Sequence, residues 1–255
     1  MEKIITTRRI ITALKKMRVN KIYRMVDRIL PQWLNAKIKT VSDKHGFSPL
    51  VHVEELKPKY IQACTFLTEN IGKENIGDYL EFGVSHGTSL SIMHKVLKQL
   101  NLEQVRIFGF DSFEGMPAVA AYEEENRWHP GEFASPIEAT REYLSNHGID
   151  WKRTFLVKGW FSDTLTHALL EKHNIHKASV IMIDCDIYSS SKQALDFCKP
   201  LIKDKAIIFF DDWIDDKNFG EPRAWEEFLS GSPNFKAREF STYEPSGRIF
   251  EISEG

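Results

Sequence analysis

Tyr79-Leu80-Glu81-Phe82-Gly83-Val84-Ser85-His86-Gly87-Thr88-Ser89 is an apolar run followed by a turn with two glycines and a polar helix start. Gly83 and Gly87 can take positive φ angles, so the backbone there can approach a ligand closely. Amide groups at the start of the following helix favour a carboxylate or a phosphate. The dinucleotide fingerprint is absent, because it needs three glycines at fixed spacing. A cofactor-binding turn and an ordinary strand-to-helix turn both fit this pattern.

Strands and helices alternate from about residue 76 onwards. The strand candidates are 77–83, 105–110, 153–158, 179–184 and 205–211, and the helix candidates are 88–100, 136–147, 163–173, 188–202 and 221–230. Two further strands, about 235–241 and 247–252, follow without an intervening helix and indicate an antiparallel hairpin. This order predicts an α/β fold with a Rossmann-like, mostly parallel sheet, helices on both faces and a C-terminal hairpin.

The first 56 residues are predicted to form a basic helical N-terminal extension, and 57–255 the main domain. Residues 1–40 carry eleven Lys and Arg but only Glu2 and Asp27 as acids, a net charge of +9, whereas the remainder carries −11. A basic amphipathic helix over 5–30 can contact an anionic membrane surface, a neighbouring subunit or the substrate cleft. No nucleic-acid partner is expected, because the segment lacks an aromatic platform or a recognisable module.

Composition limits the class of protein. The chain has 255 residues, 42% apolar and 27% charged, which fits one large α/β domain with an appendage. Its three cysteines have no metal-ligand spacing and indicate reduced thiols in a cytoplasmic protein. No run reaches the length of a membrane span, and the start of the chain lacks the apolar stretch of a signal peptide.

Two pairs of carboxylates follow apolar runs. Asp184 and Asp186 close the run at 179–184, and Asp211 and Asp212 close the run at 205–211. If these strands are adjacent, the acids converge at one sheet edge, where α/β folds bind ligands. Oxygen-only ligands suit Mg²⁺ or Mn²⁺, which can lower the pKa of a substrate hydroxyl. The alternative is that these acids cap helices and strand ends.

Other candidate residues follow the remaining strands. Asp111 lies at the end of the second strand, roughly 20–30 residues past the first glycine, where an acid holds a ribose in nucleotide-binding folds. Its alternative role is to cap the turn that begins at Ser112. Trp160 and Phe161, after Gly159, can stack on an adenine or belong to the core.

A long segment between the second strand and the next helix shows no clear periodicity. It covers residues 112–135, and loops of that length in compact domains are usually functional, for example as lids. His129 within it is the histidine to consider as a general base, although a surface role fits it as well.

With these residues assembled, the chain resembles the macrocin O-methyltransferase family of class I S-adenosylmethionine-dependent enzymes. The resemblance covers about residues 76–255. It rests on Tyr79-Leu80-Glu81-Phe82-Gly83-Val84 with Gly87-Thr88-Ser89, Gly109-Phe110-Asp111-Ser112-Phe113-Glu114-Gly115-Met116-Pro117, His129-Pro130-Gly131-Glu132-Phe133, Gly159-Trp160-Phe161-Ser162-Asp163-Thr164-Leu165, Asp184-Cys185-Asp186-Ile187-Tyr188-Ser189-Ser190-Ser191 and Ile208-Phe209-Phe210-Asp211-Asp212-Trp213.

The resemblance implies S-adenosyl-L-methionine and Mg²⁺ as cofactors. The predicted cofactor-binding residues are Glu81, Gly83, Val84, Ser85, Gly87, Thr88, Ser89, Asp111, Ser112, Gly159, Trp160, Phe161 and Asp184. The predicted metal ligands are Asp184, Asp211 and Asp212. Catechol-type methyltransferases use a lysine three residues after the first metal aspartate as base, but Ile187 stands here. Asp186 or His129 is the candidate base instead, so the predicted catalytic residues are Asp184, Asp186 and His129.

The sequence and the resemblance together predict an O-methyltransferase. The predicted acceptor is a sugar hydroxyl on a small molecule, a glycolipid or a polysaccharide precursor, and a homo-oligomer is expected. One alternative is a non-catalytic binding protein on the same fold, tethered by its basic N-terminus. Another is a related hydroxylase, but the two-His-one-carboxylate set of iron oxygenases is not evident.

Overall fold

The computed structural model describes residues 53–123, 128–213, 218, 220–244 and 246–255. The strands are β1 (Asp78–Phe82), β2 (Ile107–Asp111), β3 (Thr154–Lys158), β4 (Ala178–Ile183), β5 (Lys205–Phe210), β6 (Phe235–Tyr243) and β7 (Gly247–Glu254). The helices are α1 (Val53–Ile71), α2 (Thr88–Gln99), α3 (Ala120–Glu123), α4 (Ile137–Asn146), α5 (Phe161–Thr164), α6 (His167–His173), α7 (Tyr188–Cys198) and α8 (Gly220–Ser230).

The strands form one sheet in the order β3-β2-β1-β4-β5-β7-β6. The first five strands in this order pair in parallel, whereas β7 runs antiparallel to both β5 and β6. This arrangement confirms the predicted α/β class, the mostly parallel sheet and the terminal hairpin. The order reverses direction at β1 and β4, and open α/β sheets bind ligands beside such a reversal.

Apolar side chains cover both faces of the sheet. Along β1, Tyr79 points to the face covered by α1 and α2, whereas Leu80 and Phe82 point to the face covered by α7 and α8. This alternation is the period of two that a strand imposes on its side chains. Glu81 shares the side of Tyr79 and is fully buried, so a carboxyl group lies within the first of these two cores.

One helix differs from the sequence prediction, and another lies across a predicted boundary. Helix α1 is described from Val53, with Glu54 and Glu55 in its first turn, where acids interact favourably with the helix dipole. It spans the domain boundary predicted after residue 56, and that boundary stays a prediction. The helix expected over 163–173 is divided into α5 and α6, because Thr166 adopts an extended conformation and caps α6 through its side chain. The proposed extension itself lies almost wholly outside the described residues.

The segment 112–135 is folded where it is described. Its backbone pairs with itself, since Met116 N–H donates to Glu132 O and Gly131 N–H donates to Met116 O, both at 2.9 Å. A small apolar cluster joins it to Ile187. The role of a lid stays a prediction.

The remaining predictions from composition concern membranes and cysteines. None of the helices in the described ranges is long and apolar enough to cross a bilayer. The three cysteines Cys64, Cys185 and Cys198 form no disulfide. The cytoplasmic location stays a prediction.

Candidate active site

Three neighbouring strands end at the same level of the sheet. Beyond the strand pairing, Asp184 N–H donates to Phe82 O at 2.9 Å, and Asp211 N–H donates to Ile183 O at 3.1 Å. The residues that follow β1, β4 and β5 therefore lie side by side. The adjacency of β4 and β5, on which the convergence of the carboxylates depends, is confirmed.

Asp184, Asp211 and Asp212 come together at this edge. One carboxylate oxygen from each lies within 4.8 Å of the others, and all three side chains are half-buried. Removal from water, followed by the charges of Asp211 and Asp212, raises the pKa of Asp184 well above its usual range. A divalent cation would relieve this repulsion, and an all-oxygen donor set fits Mg²⁺ better than zinc or iron. No other such group of potential metal ligands occurs in the described ranges.

Asp186 lies outside this group of three. The expected convergence of the acids at the sheet edge included Asp186, but β4 ends at Ile183 and the chain turns after it. Asp186 has a φ of 61°, in the left-handed region, and the chain turns tightly as Ile187 N–H donates to Cys185 O at 2.7 Å. Asp186 is nevertheless close enough to Asp184 to contribute to its raised pKa.

Two side chains from later in the sequence hold the Asp211–Asp212 turn. The Tyr243 hydroxyl donates to Asp211 Oδ1 at 2.7 Å, and the Asp212 amide donates to Glu221 Oε2 at 3.1 Å. Glu221 is fully buried, and burial followed by the charges of Asp212 and Asp211 raises its pKa well above the usual range. Sequence reasoning missed both residues, because neither lies in a motif or next to the acids they contact.

The loop after β1 is shaped by backbone conformation. Gly83 has a φ of 92°, and a Cβ atom at this position would lie 1.7 Å from Asp184 O, so only glycine allows the two strand ends to approach. The backbone of Ser85 is also in the left-handed region, with a φ of 46°. Its hydroxyl is buried and has no hydrogen-bond partner among the described residues, as expected of a site that accepts a polar ligand.

Asp111, at the end of β2, is hydrogen-bonded to this loop. Its Oδ2 accepts hydrogen bonds from the amides of Val84 and Ser85, both at 2.8 Å, and its Oδ1 accepts one from Phe113 N–H at 2.6 Å. The turn-capping role considered for Asp111 is thus present, together with an unforeseen bond to the glycine loop. Ser112 completes the turn, donating to Gly115 O and accepting from Glu114 N–H. A ribose hydroxyl would have to share a carboxylate that is already engaged.

Glu81, which the resemblance places among the cofactor-binding residues, is fully buried. Both its oxygens accept internal hydrogen bonds, from the Tyr79 hydroxyl at 2.5 Å and from Ser89 Oγ at 2.7 Å. The Tyr60 hydroxyl is bonded in turn to Tyr79 at 2.8 Å. Burial raises the pKa of Glu81 to about 8, although the two donors act in the opposite direction. Glu81 therefore supports the glycine loop from beneath through Ser89, which lies in the first turn of α2.

This raised pKa predicts how stability depends on pH. The folded protein binds the Glu81 proton more tightly than the unfolded chain, whose glutamate pKa is 4.5. The stabilisation is complete below that value and is lost as the pH rises towards about 8. In thermal unfolding without added cation, the Tm should fall between pH 5 and 8.5, and Glu81→Gln should make that fall shallower.

Glu251→Gln is the control for this prediction. Glu251 is buried like Glu81, and burial acts to raise its pKa, but its contacts with Lys205 and Arg238 together outweigh that effect and lower the pKa. Its titration therefore lies below the pH range tested, and the fall in Tm should keep its wild-type slope. An unchanged slope in Glu81→Gln would show that this carboxyl group does not titrate in that range.

The aromatic pair after β3 has divided roles. Phe161 is half-buried and packs edge-on against Phe82, with ring centroids 5.8 Å apart, so it belongs to the core. Trp160 is half-buried just before α5 and is the better of the two candidates for stacking on an adenine. Gly159 N–H donates to Asp111 O at 2.9 Å, which brings this turn beside the glycine loop.

The structure does not place His129 with Asp184, Asp211 and Asp212, which together form the acidic group. Its side chain is exposed, and its ring makes no hydrogen bond within the described part of the chain. Its backbone carbonyl accepts a hydrogen bond from Glu132 N–H at 3.1 Å, which shapes the turn there. Of the two candidate bases, Asp186 is the one whose charge reaches Asp184.

Comparisons with known proteins identify relatives of the chain. A family model described as Macrocin-O-methyltransferase (TylF) matches residues 54–231. The 8-demethyl-8-(2,3-dimethoxy-alpha-L-rhamnosyl)-tetracenomycin-C 4'-O-methyltransferase of Streptomyces olivaceus is 33% identical over 146 residues, 55% of this chain and 54% of that protein. Demethyldecarbamoylnovobiocin O-methyltransferase of Streptomyces niveus is 25% identical over 150 residues, 56% of this chain and 55% of that protein. The chain thus spans about half the length of the curated relatives it matches.

Solved structures share the fold. The O-methyltransferase NovP superposes with a TM-score of 0.67 at 20% identity, covering 80% of this chain and 81% of that chain. The calicheamicin methyltransferase CalS11 superposes with a TM-score of 0.58 at 22% identity, covering 97% and 91%. At these identities the likeness concerns the fold, and the roles of individual residues have to be argued from the site itself.

Proposed function

The chain belongs to the macrocin O-methyltransferase family, and on that basis we propose that it transfers a methyl group from S-adenosylmethionine to a hydroxyl group of a sugar, with Mg²⁺ as cofactor. The acceptor sugar is carried by a small molecule such as a glycosylated natural product. Two relatives support this choice, since one is named for a rhamnosyl-bearing tetracenomycin and the other for demethyldecarbamoylnovobiocin. The observation that supports this function most is that the carboxylates of Asp184, Asp211 and Asp212 lie together beside the glycine loop.

The proposal assigns a role to each part of the site. When bound, S-adenosylmethionine supplies the methyl group, and Mg²⁺ acidifies and orients the acceptor hydroxyl. Asp184, Asp211 and Asp212 hold the cation. The loop from Gly83 to Ser89 receives the methionine end, with Ser85 Oγ as a polar group free to bind it. Asp111 keeps that loop in place and contacts the ribose.

Asp186 is the proposed proton acceptor. It follows Asp184 by two residues, and its charge acts on Asp184. A carboxylate beside the bound hydroxyl can take the proton as the oxygen attacks the methyl carbon. The lysine of catechol-type enzymes is replaced here by Ile187, which is buried in the apolar cluster of the segment 112–135.

Methyl transfer to a panel of sugar-bearing acceptors tests this function. We expect label from methyl-labelled S-adenosylmethionine to appear in rhamnosylated aromatic polyketides or in nucleoside diphosphate sugars. The transfer should stop with EDTA and return with excess Mg²⁺. Transfer that persists unchanged in EDTA would remove the cation from the proposal. S-adenosylmethionine that fails to bind in calorimetry would reject the methyltransferase function itself and favour a binding protein.

The partners remain proposals as well. A homo-oligomer is expected, and a contact of the basic N-terminal segment (residues 1–40) with a membrane surface is one of the roles considered for it; that segment lies outside the described residues. Sedimentation with anionic vesicles, comparing the full chain with a variant whose Lys and Arg at positions 1–40 are replaced by Gln, measures the membrane contact.

A further inference from the structure

Tyr243 connects the C-terminal hairpin to the acidic group. It is the last residue of β6, the outermost strand on this side of the sheet, and it is buried. Its hydroxyl donates a hydrogen bond of 2.7 Å to Asp211 Oδ1.

The hairpin is built to hold this ring in one position. Gly247 is the residue paired with Tyr243 in the β6–β7 register, and a Cβ atom there would lie 2.2 Å from the ring. Phe209 packs against the same ring, with centroids 6.3 Å apart. Beside it, Ser246 Oγ donates to Asp211 O at 2.9 Å. The hairpin thus forms hydrogen bonds with both the carboxylate and the backbone carbonyl of Asp211.

We propose that Tyr243 is a positioning residue of the cation site, which fixes the orientation of the Asp211 carboxylate before an ion binds. This inference rests on the proposed function, because it assumes that Asp211 binds a cation. Hydrogen bonds to a ligating carboxylate orient it, and their loss typically lowers metal affinity 10–100-fold. Small ions with strict octahedral geometry depend on that orientation more than Ca²⁺, whose coordination is flexible.

Cation binding by Tyr243→Phe tests the proposal. The variant removes one oxygen atom and keeps the ring that Gly247 accommodates. We expect the Kd for Mn²⁺, measured by electron paramagnetic resonance, and the Kd for Mg²⁺, measured by calorimetry, to rise about tenfold or more. The Kd for Ca²⁺ should rise less. Tyr143→Phe is the matched control, because that half-buried ring stacks on His147 and lies outside the acidic group.

Ser246→Ala provides a second variant that does not depend on the phenol. It removes only the hydrogen bond to Asp211 O, and it should weaken Mn²⁺ binding in the same direction, by a few-fold. The proposal is overturned if Tyr243→Phe binds Mn²⁺ like the wild type, whatever Ser246→Ala does, or if Tyr243→Phe weakens the binding of Ca²⁺ as much as that of Mg²⁺. Failure of the wild type itself to bind Mn²⁺ or Mg²⁺ would instead reject the cation in the proposed function.

Discussion

Asp184→Asn should abolish the stabilisation of the protein by Mg²⁺ and reduce methyl transfer about a thousandfold. Asp184 directly follows β4, and burial, followed by the charges of Asp211, Asp212 and Asp186, raises its pKa. A metal ion contributes several kcal/mol to a transition state, and each 1.36 kcal/mol changes a rate tenfold. Without a cation, the substitution should raise the Tm, because it removes one of several crowded like charges.

The measurement is thermal unfolding with and without Mg²⁺, followed by the transfer assay. Asp196→Asn is the control, since Asp196 is an exposed acid of α7 that pairs with Lys192 at 3.2 Å. The control should keep both the Mg²⁺-induced rise in Tm and the activity. An Asp184→Asn protein that is still stabilised by Mg²⁺ would place the cation elsewhere.

Asp111→Asn should weaken the binding of S-adenosylmethionine by about thirtyfold or more. Asp111 accepts three backbone amides, two from the glycine loop and one from Phe113. An asparagine presents one acceptor oxygen and one NH₂ group, so at least one amide would face another donor. Hydrogen bonds to charged groups contribute roughly 1.5–3 kcal/mol each, and 1.4 kcal/mol is a tenfold change in affinity.

Calorimetric titration with S-adenosylmethionine checks this expectation. Asp150→Asn is the matched control, because Asp150 also accepts a backbone amide in a turn, that of Lys152 at 3.0 Å, but before the start of β3. It should bind S-adenosylmethionine like the wild type. If the Asp111 and Asp150 variants bind S-adenosylmethionine with equal affinity, cofactor binding does not depend on the hydrogen bonds between the glycine loop and Asp111.

The sequence predicted the sheet and its edge because the signals were local and repeated. Apolar runs that end in acids, such as the run before Asp184, mark buried parallel strands and their carboxyl ends. The predicted bounds of the strands agree with the structure to within about two residues. The helix over 163–173 was wrong as one element, because Thr166 caps a new helix there and its extended backbone has no periodic signal.

The details of the site depend on contacts between distant residues. Tyr243 and Glu221 hold the Asp211–Asp212 turn from the hairpin and from α8, and no spacing in the sequence connects them to it. The resemblance implies that Glu81 faces the cofactor, and this stays a prediction. Its fully buried position follows from the alternation of side chains along β1, which places it with Tyr79 in the core.

The most direct test of the account is the position of a cation in crystals grown with Mn²⁺ and S-adenosylhomocysteine. An anomalous difference map at the manganese absorption edge should show one peak, about 2.1 Å from oxygen atoms of Asp184, Asp211 and Asp212. The adenosyl group should lie between Trp160 and the loop at Gly83. A bound S-adenosylhomocysteine with no anomalous peak at these three carboxylates would contradict the cation-dependent mechanism.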